Sequence, residues 1–157
     1  MSNDVVVPAG RPLVEAAGWV GTACWSELAL HGAITEVLVR ESRAELRVAL
    51  WEVRAHRAGQ AERWHRLLPE LREMPRESFV APPIDEVERE SAIVDSGGIA
   101  SAISDLLDGY ENHRGVANGP ADGPVAAELG RAITLLRSDL ALLARAEPSD
   151  QVSRTRT

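Results

Sequence analysis

Residues 46–71, LRVALWEVRAHRAGQAERWHRLLPEL, decide the fold of this chain. Apolar residues recur there at alternating steps of four and three, which is the spacing of one face of an α-helix. The stripe has six apolar members and two polar ones, in the order Leu46, Leu50, Val53, Arg57, Gln60, Trp64, Leu67 and Leu71. The stretch therefore predicts an amphipathic helix whose buried face carries Arg57 and Gln60 at its centre.

The stretch before it, residues 12–40, predicts another helix with the same spacing. Its stripe consists of Ala16, Val20, Ala23, Glu27, Leu30, Ile34 and Val37, and Glu27 is the only charged member. Ser42 and Glu45 have the spacing of a capping box, which predicts that the next helix begins near residue 43 after a short turn. A turn this short predicts that the two helices are antiparallel.

The sequence predicts that Glu27 and Arg57 meet. Glu27 precedes Ser42 by 15 residues, and Arg57 follows it by 15. With a rise of about 1.5 Å per residue, both lie at the same height above the turn. The one charged residue of the first stripe should therefore face the polar pair of the second.

The second half of the chain predicts another helix pair. Residues 74–95 contain three prolines and indicate a long crossover, with a short helical turn at 85–91. The next helix, at 97–116, carries Tyr110 and His113 at the end of its stripe. The last, at 124–146, has an aliphatic stripe, with Glu128 and Asp139 to its sides. The members of that stripe are Leu129, Ile133, Leu136, Leu140 and Leu143.

The predicted fold class is all-α: a four-helix bundle of two antiparallel helix pairs joined by a long crossover. Helices are expected at about 12–40, 43–73, 97–116 and 124–146 in one domain, residues 11–147. Residues 1–10 are expected to be flexible, and residues 148–157 to form a disordered polar tail.

Composition excludes several classes of function. The net charge is −7, so we expect no nucleic-acid partner, because phosphate contacts need clustered positive charge. No apolar run reaches the length of a membrane span, and the N-terminus lacks the positive region of a signal peptide. Cys24 is the single cysteine, so no intrachain disulfide can form. A soluble cytoplasmic protein is the simplest interpretation.

Two segments resemble the ferritin-like superfamily. Trp25-Ser26-Glu27-Leu28 resembles its first-helix segment that supplies a metal-binding Glu, and residues 61–71, AERWHRLLPEL, resemble the tail of its second helix. The order of elements is similar to that of proteins related to the ferritin-like tRNA hydroxylases, over about three quarters of the chain. The resemblance implies a bundle around two metal ions, held by a Glu from each of two helices and a Glu-x-x-His from each of the others.

The resemblance leaves two registers for the second helix. In one, Glu62 and His65 form a literal Glu-x-x-His and join Glu27 as metal ligands. Helical phase opposes this register, because both side chains point away from the direction of Trp64. In the other register, Arg57 and Gln60 occupy the motif positions, and a guanidinium has no lone pair to donate to a metal. A degenerate dimetal site with no cofactor is the favoured interpretation.

Three hypotheses of function follow. The first is a metal-free bundle with a core polar cluster of Glu27, Arg57, Gln60 and, one turn from Glu27, His31. This cluster either fixes helix register or forms a pocket for a small anionic or carbonyl-bearing ligand. The second is a divergent non-haem oxidase or hydroxylase with di-iron or di-manganese at Glu27, Glu62 and His65. The third is a bundle with an interaction role only.

The aromatic residues and histidines add a prediction about partners. Trp25 and Trp51 point away from the stripes, and exposed aromatic residues are enriched at interfaces. We therefore expect a homodimer through the outer faces of the first two helices. His56 and His65 flank the second stripe and are expected to be solvated or at a subunit interface.

Overall fold

The computed structural model describes residues 13–83, 93, 95–119 and 122–147, which form four α-helices. The expected flexible N-terminus, the disordered tail and the helical turn at 85–91 lie outside the described residues. The helices are α1 (Leu13–Arg40), α2 (Ala44–Leu67), α3 (Ser96–Arg114) and α4 (Gly123–Ala146), and a short 3₁₀ helix, Arg76–Phe79, follows α2. None of the described residues lies in a strand, so this part of the chain is all-α, as predicted.

The predicted stripes form the buried faces of α1 and α2. Six of the seven predicted positions on α1 are buried, and the exception is Ala16, whose place Ala17 takes. On α2 the first six members of the predicted stripe are buried, including Arg57 and Gln60. The polar members are therefore enclosed within an otherwise apolar core of aliphatic and aromatic residues.

Both ends of α2 differ from the prediction. The helix ends at Leu67 rather than at 73, because Leu68 precedes Pro69 and adopts an extended conformation, with ψ of 137°. At its start, the residue that caps α2 is Arg43 and not Ser42, and no side chain caps the first turn. The guanidinium of Arg43 instead binds Glu41, with nitrogen–oxygen distances of 2.8 and 2.9 Å.

The helices pack in a ring, although unevenly. The interface of α1 with α2 is the most extensive, followed by those of α3 with α4 and of α2 with α4. From one end of the first interface to the other, hydrogen bonds join Thr35 to Arg54, Glu27 to Arg57 and Cys24 to Ala61. The interface between α1 and α3 is much smaller. None of the helices that the structure describes has both the length and the apolar composition of a membrane span.

The segment after α2 packs closely against α1. Phe79, in the 3₁₀ helix, is buried, and its backbone lies directly over Gly21. A Cβ atom at Gly21 would lie 1.9 Å from the carbonyl oxygen of Phe79. The glycine is therefore required for this approach, which anchors the beginning of the connection between α2 and α3.

Candidate functional site

A buried ion network occupies the centre of the bundle. The Arg57 guanidinium lies between two carboxylates: Nη1 donates to Glu27 Oε2 at 2.8 Å, and Nη2 donates to Asp139 Oδ2 at 2.7 Å. All three residues are fully buried. Each comes from a different helix (α1, α2 or α4), so one guanidinium links three helices through hydrogen bonds strengthened by charge.

Tyr110 connects the remaining helix, α3, to this network. Its hydroxyl donates to Glu27 Oε1 at 2.7 Å, and the Tyr110 hydroxyl oxygen accepts a hydrogen bond from Trp64 Nε1 at 3.0 Å. Trp19 contacts both aromatic rings and stacks on His113 at a centroid distance of 3.6 Å. Every helix of the bundle thus contributes at least one side chain to a continuous set of contacts around Glu27.

Two further side chains extend the network toward solvent. His56 Nδ1 lies 2.7 Å from Asp139 Oδ1, and a third of the His56 side chain is exposed. Gln60 donates through Nε2 to Glu128 Oε1 at 2.9 Å, and Arg63 donates to the same oxygen at 2.8 Å. His56 is thus the partly exposed member of the network, whereas Arg57 Nε and Gln60 Oε1 are buried and have no hydrogen-bond partner among the described residues.

Burial controls the protonation of the network. Desolvation raises the pKa of Glu27 to about 7, against the opposing effect of the Arg57 charge and the Tyr110 hydrogen bond. Desolvation also raises the pKa of Asp139, and it raises that of Tyr110 together with the adjacent Glu27 charge. Burial alone would raise the pKa of Glu128, but hydrogen bonds from Arg63 and Gln60 hold it below its ordinary value.

The structure brings together part of the predicted cluster. Arg57 lies on Glu27, as the heights above the turn predicted. Gln60 is buried beside them but binds Glu128 instead. His31 is half-buried and, within the described residues, makes no hydrogen bond to the other three; burial and the nearby charge of Arg54 lower its pKa.

The alternative metal set is not assembled. Glu62 lies on the exposed side of α2 and pairs with Arg66, and His65 pairs with Glu77 at 3.5 Å. Glu27 is fully buried on the opposite side of the α1–α2 interface. The phase of the helix explains this separation. Glu62 lies two positions before Trp64 and His65 one position after it, so neither side chain points in the direction of Trp64.

The sequence analysis missed the partners of three members of the network. Asp139 was assigned to the side of α4 but is fully buried, and His56, expected to be solvated or at a subunit interface, is a third exposed and binds Asp139. A signal was available, because Leu136, Asp139 and Leu143 continue the alternation of three and four. Tyr110 was placed on its stripe without a partner. Its contact with Glu27 joins residues 83 apart, which no local pattern reveals.

The residues at this site do not fit a dimetal centre. The two buried carboxylates that could bind a metal are both engaged by Arg57, whose guanidinium occupies the space between them. In the part of the chain that the structure describes, no group of three or more His, Cys, Asp and Glu side chains is arranged to hold a metal ion. Arg57 itself cannot act as a ligand, so no metal-dependent step is derived for this site.

A cavity of about 460 Å³ lies beside the network, between α1 and α3. Tyr110 belongs to both, because its hydroxyl binds Glu27 while the residue lines the cavity. The wall is mainly aromatic and aliphatic, with Thr22, Ser26 and Asp105 as the polar members with functional side chains. Its aromatic and larger aliphatic members are Trp19, Trp25, Tyr110, Leu30, Ile93 and Leu106. A space of this size and composition is typical of a small-molecule site.

Comparison with protein-family models, with curated proteins and with solved structures gives no match for this chain. Two features of the described residues remain as indications of function: a buried ion network centred on Arg57 and, beside it, a largely apolar cavity.

Proposed function

We propose that this chain is a metal-free helical bundle that binds a small, largely apolar molecule in the cavity between α1 and α3. The cavity is the observation that carries this proposal. Its volume of about 460 Å³ lies within the range of ordinary ligand sites. The ion network is the scaffold that holds the four helices around the cavity, since each helix contributes a residue to it.

The ligand site is assigned to the cavity and not to Arg57. The single positive charge of Arg57 already faces the two carboxylates of Glu27 and Asp139, so an anionic ligand there would add a third negative group around one cation. Thr22 and Ser26 line the cavity and offer hydroxyl groups to a carbonyl or hydroxyl of the ligand. A ligand in the cavity therefore leaves the buried charge balance of the network unchanged.

The proposed architecture is ferritin-like: two antiparallel helix pairs joined by a long crossover. Contacts between α1 and α2 support antiparallel pairing. Thr35 of α1 binds Arg54 of α2, and the earlier residue Cys24 of α1 binds the later residue Ala61 of α2. Nearly 30 residues separate the end of α2 from the start of α3, which is long enough to cross the bundle.

Metal content tests the metal-free part of the proposal against the alternative, a divergent oxidase or hydroxylase. We expect protein purified without chelators and supplemented with iron to retain no stoichiometric metal, because Arg57 supplies the positive charge between the carboxylates. Retention of about two iron or manganese ions per chain, the complement of a dimetal centre, would contradict this expectation.

Binding of tert-butylbenzene tests the cavity. This neutral probe should quench or shift the fluorescence of Trp19 and Trp25, which line the cavity. Ala102→Phe fills the cavity and should abolish binding, whereas Ser101→Phe, exposed on the same helix, should not. Equal binding to both variants, or none to the unmodified protein, would contradict the proposal.

A homodimer in the cytoplasm is also part of this proposal. Trp51 and Val48 on α2 are 64% and 68% exposed, and Val39 at the end of α1 is 81% exposed. Burying such side chains against a second copy would remove apolar area from water.

A further inference from the structure

We propose that the ligand of the α1–α3 cavity is an organic cation with an apolar body, whose charge lies among the aromatic rings near Asp105. This inference depends on the proposed function, because it names the class of molecule that the same cavity takes. It follows from the ring composition of the wall, from the electron density of Tyr110 and from the distribution of charge around the cavity.

The first observation is the number of aromatic rings in the wall. Trp19, Trp25 and Tyr110 all line the cavity. The rings of Trp19 and Tyr110 lie 5.8 Å apart at an interplanar angle of 60°. One face of Trp19 stacks on His113, so only its other face is available to a ligand. An aromatic ring is electron-rich over its face, and Trp is the aromatic side chain that attracts cations most strongly. A wall with three such rings favours a cation over a neutral molecule of the same shape.

The second observation concerns Tyr110. Its hydroxyl donates a hydrogen bond of 2.7 Å to the buried Glu27 carboxylate, which increases the electron density of the ring. Trp64 donates to the same hydroxyl at 3.0 Å and acts in the opposite direction. When Glu27 is ionised, this hydrogen bond is roughly twice as strong as one between neutral groups, so the effect of Glu27 prevails over that of Trp64. Tyr110 is thereby a better partner for a cation than an isolated tyrosine.

The third observation is the sign of the surrounding charge. Asp105 is the only charged residue among the described residues that line the cavity, and its side chain is exposed. Behind Tyr110, the single charge of Arg57 lies between the carboxylates of Glu27 and Asp139. Among the described lining residues, an anion would meet no positive charge, whereas a cation gains attraction from Asp105.

Three probes of similar shape and different charge test the inference. Phenyltrimethylammonium is a cation with the shape of the neutral tert-butylbenzene, and benzenesulfonate is a comparable anion. We expect the cation to bind about fivefold more tightly than the neutral probe, which corresponds to a moderate cation–π interaction. Benzenesulfonate should not bind at concentrations that saturate the protein with the cation. Calorimetry on the full chain measures all three affinities.

Two aspartates of α3 provide a matched pair of variants. Asp105→Asn should weaken phenyltrimethylammonium about fivefold and leave tert-butylbenzene unchanged, because only the charged probe interacts with the carboxylate. Asp108→Asn removes an equally exposed charge that does not line the cavity, and it should leave both affinities unchanged. Both positions are exposed on the helix surface, so neither change is expected to disturb folding.

The outcomes separate this inference from the proposed function. If tert-butylbenzene binds and the cation binds no more tightly, the cation inference is overturned while the cavity remains a ligand site. If neither probe binds, both are overturned. Cation binding that survives Ala102→Phe, or that responds equally to the two aspartate variants, would show a surface site and would also overturn the inference.

Discussion

The two sides of α1 differ in how they are filled. Toward α2 the helix packs tightly, and its central residue, Glu27, is bound by an arginine of α2 that also binds Asp139 of α4. Toward α3 the interface is small and encloses a cavity with aromatic walls. Charge is therefore buried where the helices pack most extensively, and space is left where the walls are apolar. We infer that the first region supplies stability, and the proposed function places ligand binding in the second.

Replacing Arg57, the cation of the buried ion network, should have the largest effect on stability. Arg57→Met leaves two carboxylates buried without a counter-charge and should lower the free energy of unfolding by about 3–5 kcal/mol. Adding Glu27→Gln should recover part of this loss, and adding Asp139→Asn as well should recover more. Urea unfolding of these proteins and of the Glu27→Gln and Asp139→Asn single variants measures the series. Simple additivity of the individual changes would show that these side chains are not coupled and would break the comparison.

The pH dependence of stability is the next largest effect. The pKa of Glu27 is about 7 in the folded protein, above its ordinary value of 4.5, so the folded state holds this proton more tightly. Its contribution to stability is therefore complete below about pH 4.5 and declines as the pH rises to 7, by at most about 1.4 kcal/mol per unit. Glu27→Gln should remove this decline. Equal slopes for the two proteins in urea unfolding across this range would contradict the assignment.

Two glycines of α1 test how closely the segment after α2 packs against this helix. Gly21→Ala would place a Cβ 1.9 Å from the carbonyl oxygen of Phe79 and should cost about 1–3 kcal/mol through displacement of that segment. Gly18→Ala, one turn earlier, meets nothing within 4 Å and should be neutral or stabilising by up to about 1 kcal/mol. Thermal unfolding distinguishes them. Similar effects for both would show that the segment does not rest on α1.

The smallest effect on stability is expected on the outer face. Trp51→Ser removes an exposed side chain and should change the free energy of unfolding by no more than about 0.5 kcal/mol. It should nevertheless shift the mass in solution from dimer to monomer if the outer faces of α1 and α2 form the interface. Arg145→Ser, exposed on α4, serves as the control. A monomeric unmodified protein at high concentration would exclude the homodimer.

The sequence was sufficient to predict the helices and one contact of the ion network. The buried positions of α1 and α2 follow from helical spacing, and the Glu27–Arg57 contact follows from equal distances to a short turn. The end of α2 was placed too late, because the aliphatic pattern continues past Pro69 even though the backbone does not.

The partners from α3 and α4 could not be derived in the same way. Their position relative to Arg57 depends on a connection with no defined spacing, so Tyr110 and Asp139 could be placed on their helices but not on the network. The cavity was not foreseen either. The cavity depends on how the faces of α1 and α3 fit together, and the sequence of one face alone does not predict that fit.

The long separations within the ion network have a consequence for folding kinetics. Arg57 and Asp139 are 82 residues apart, and Glu27 and Tyr110 are 83 apart, so these bonds form only when both halves of the chain have met. Local helix formation and pairing of α1 with α2 can occur before the two halves meet. The Asp139 contact can form only after they have met. Asp139 substitutions should therefore accelerate unfolding while leaving the folding rate nearly unchanged, the signature of a contact made after the transition state.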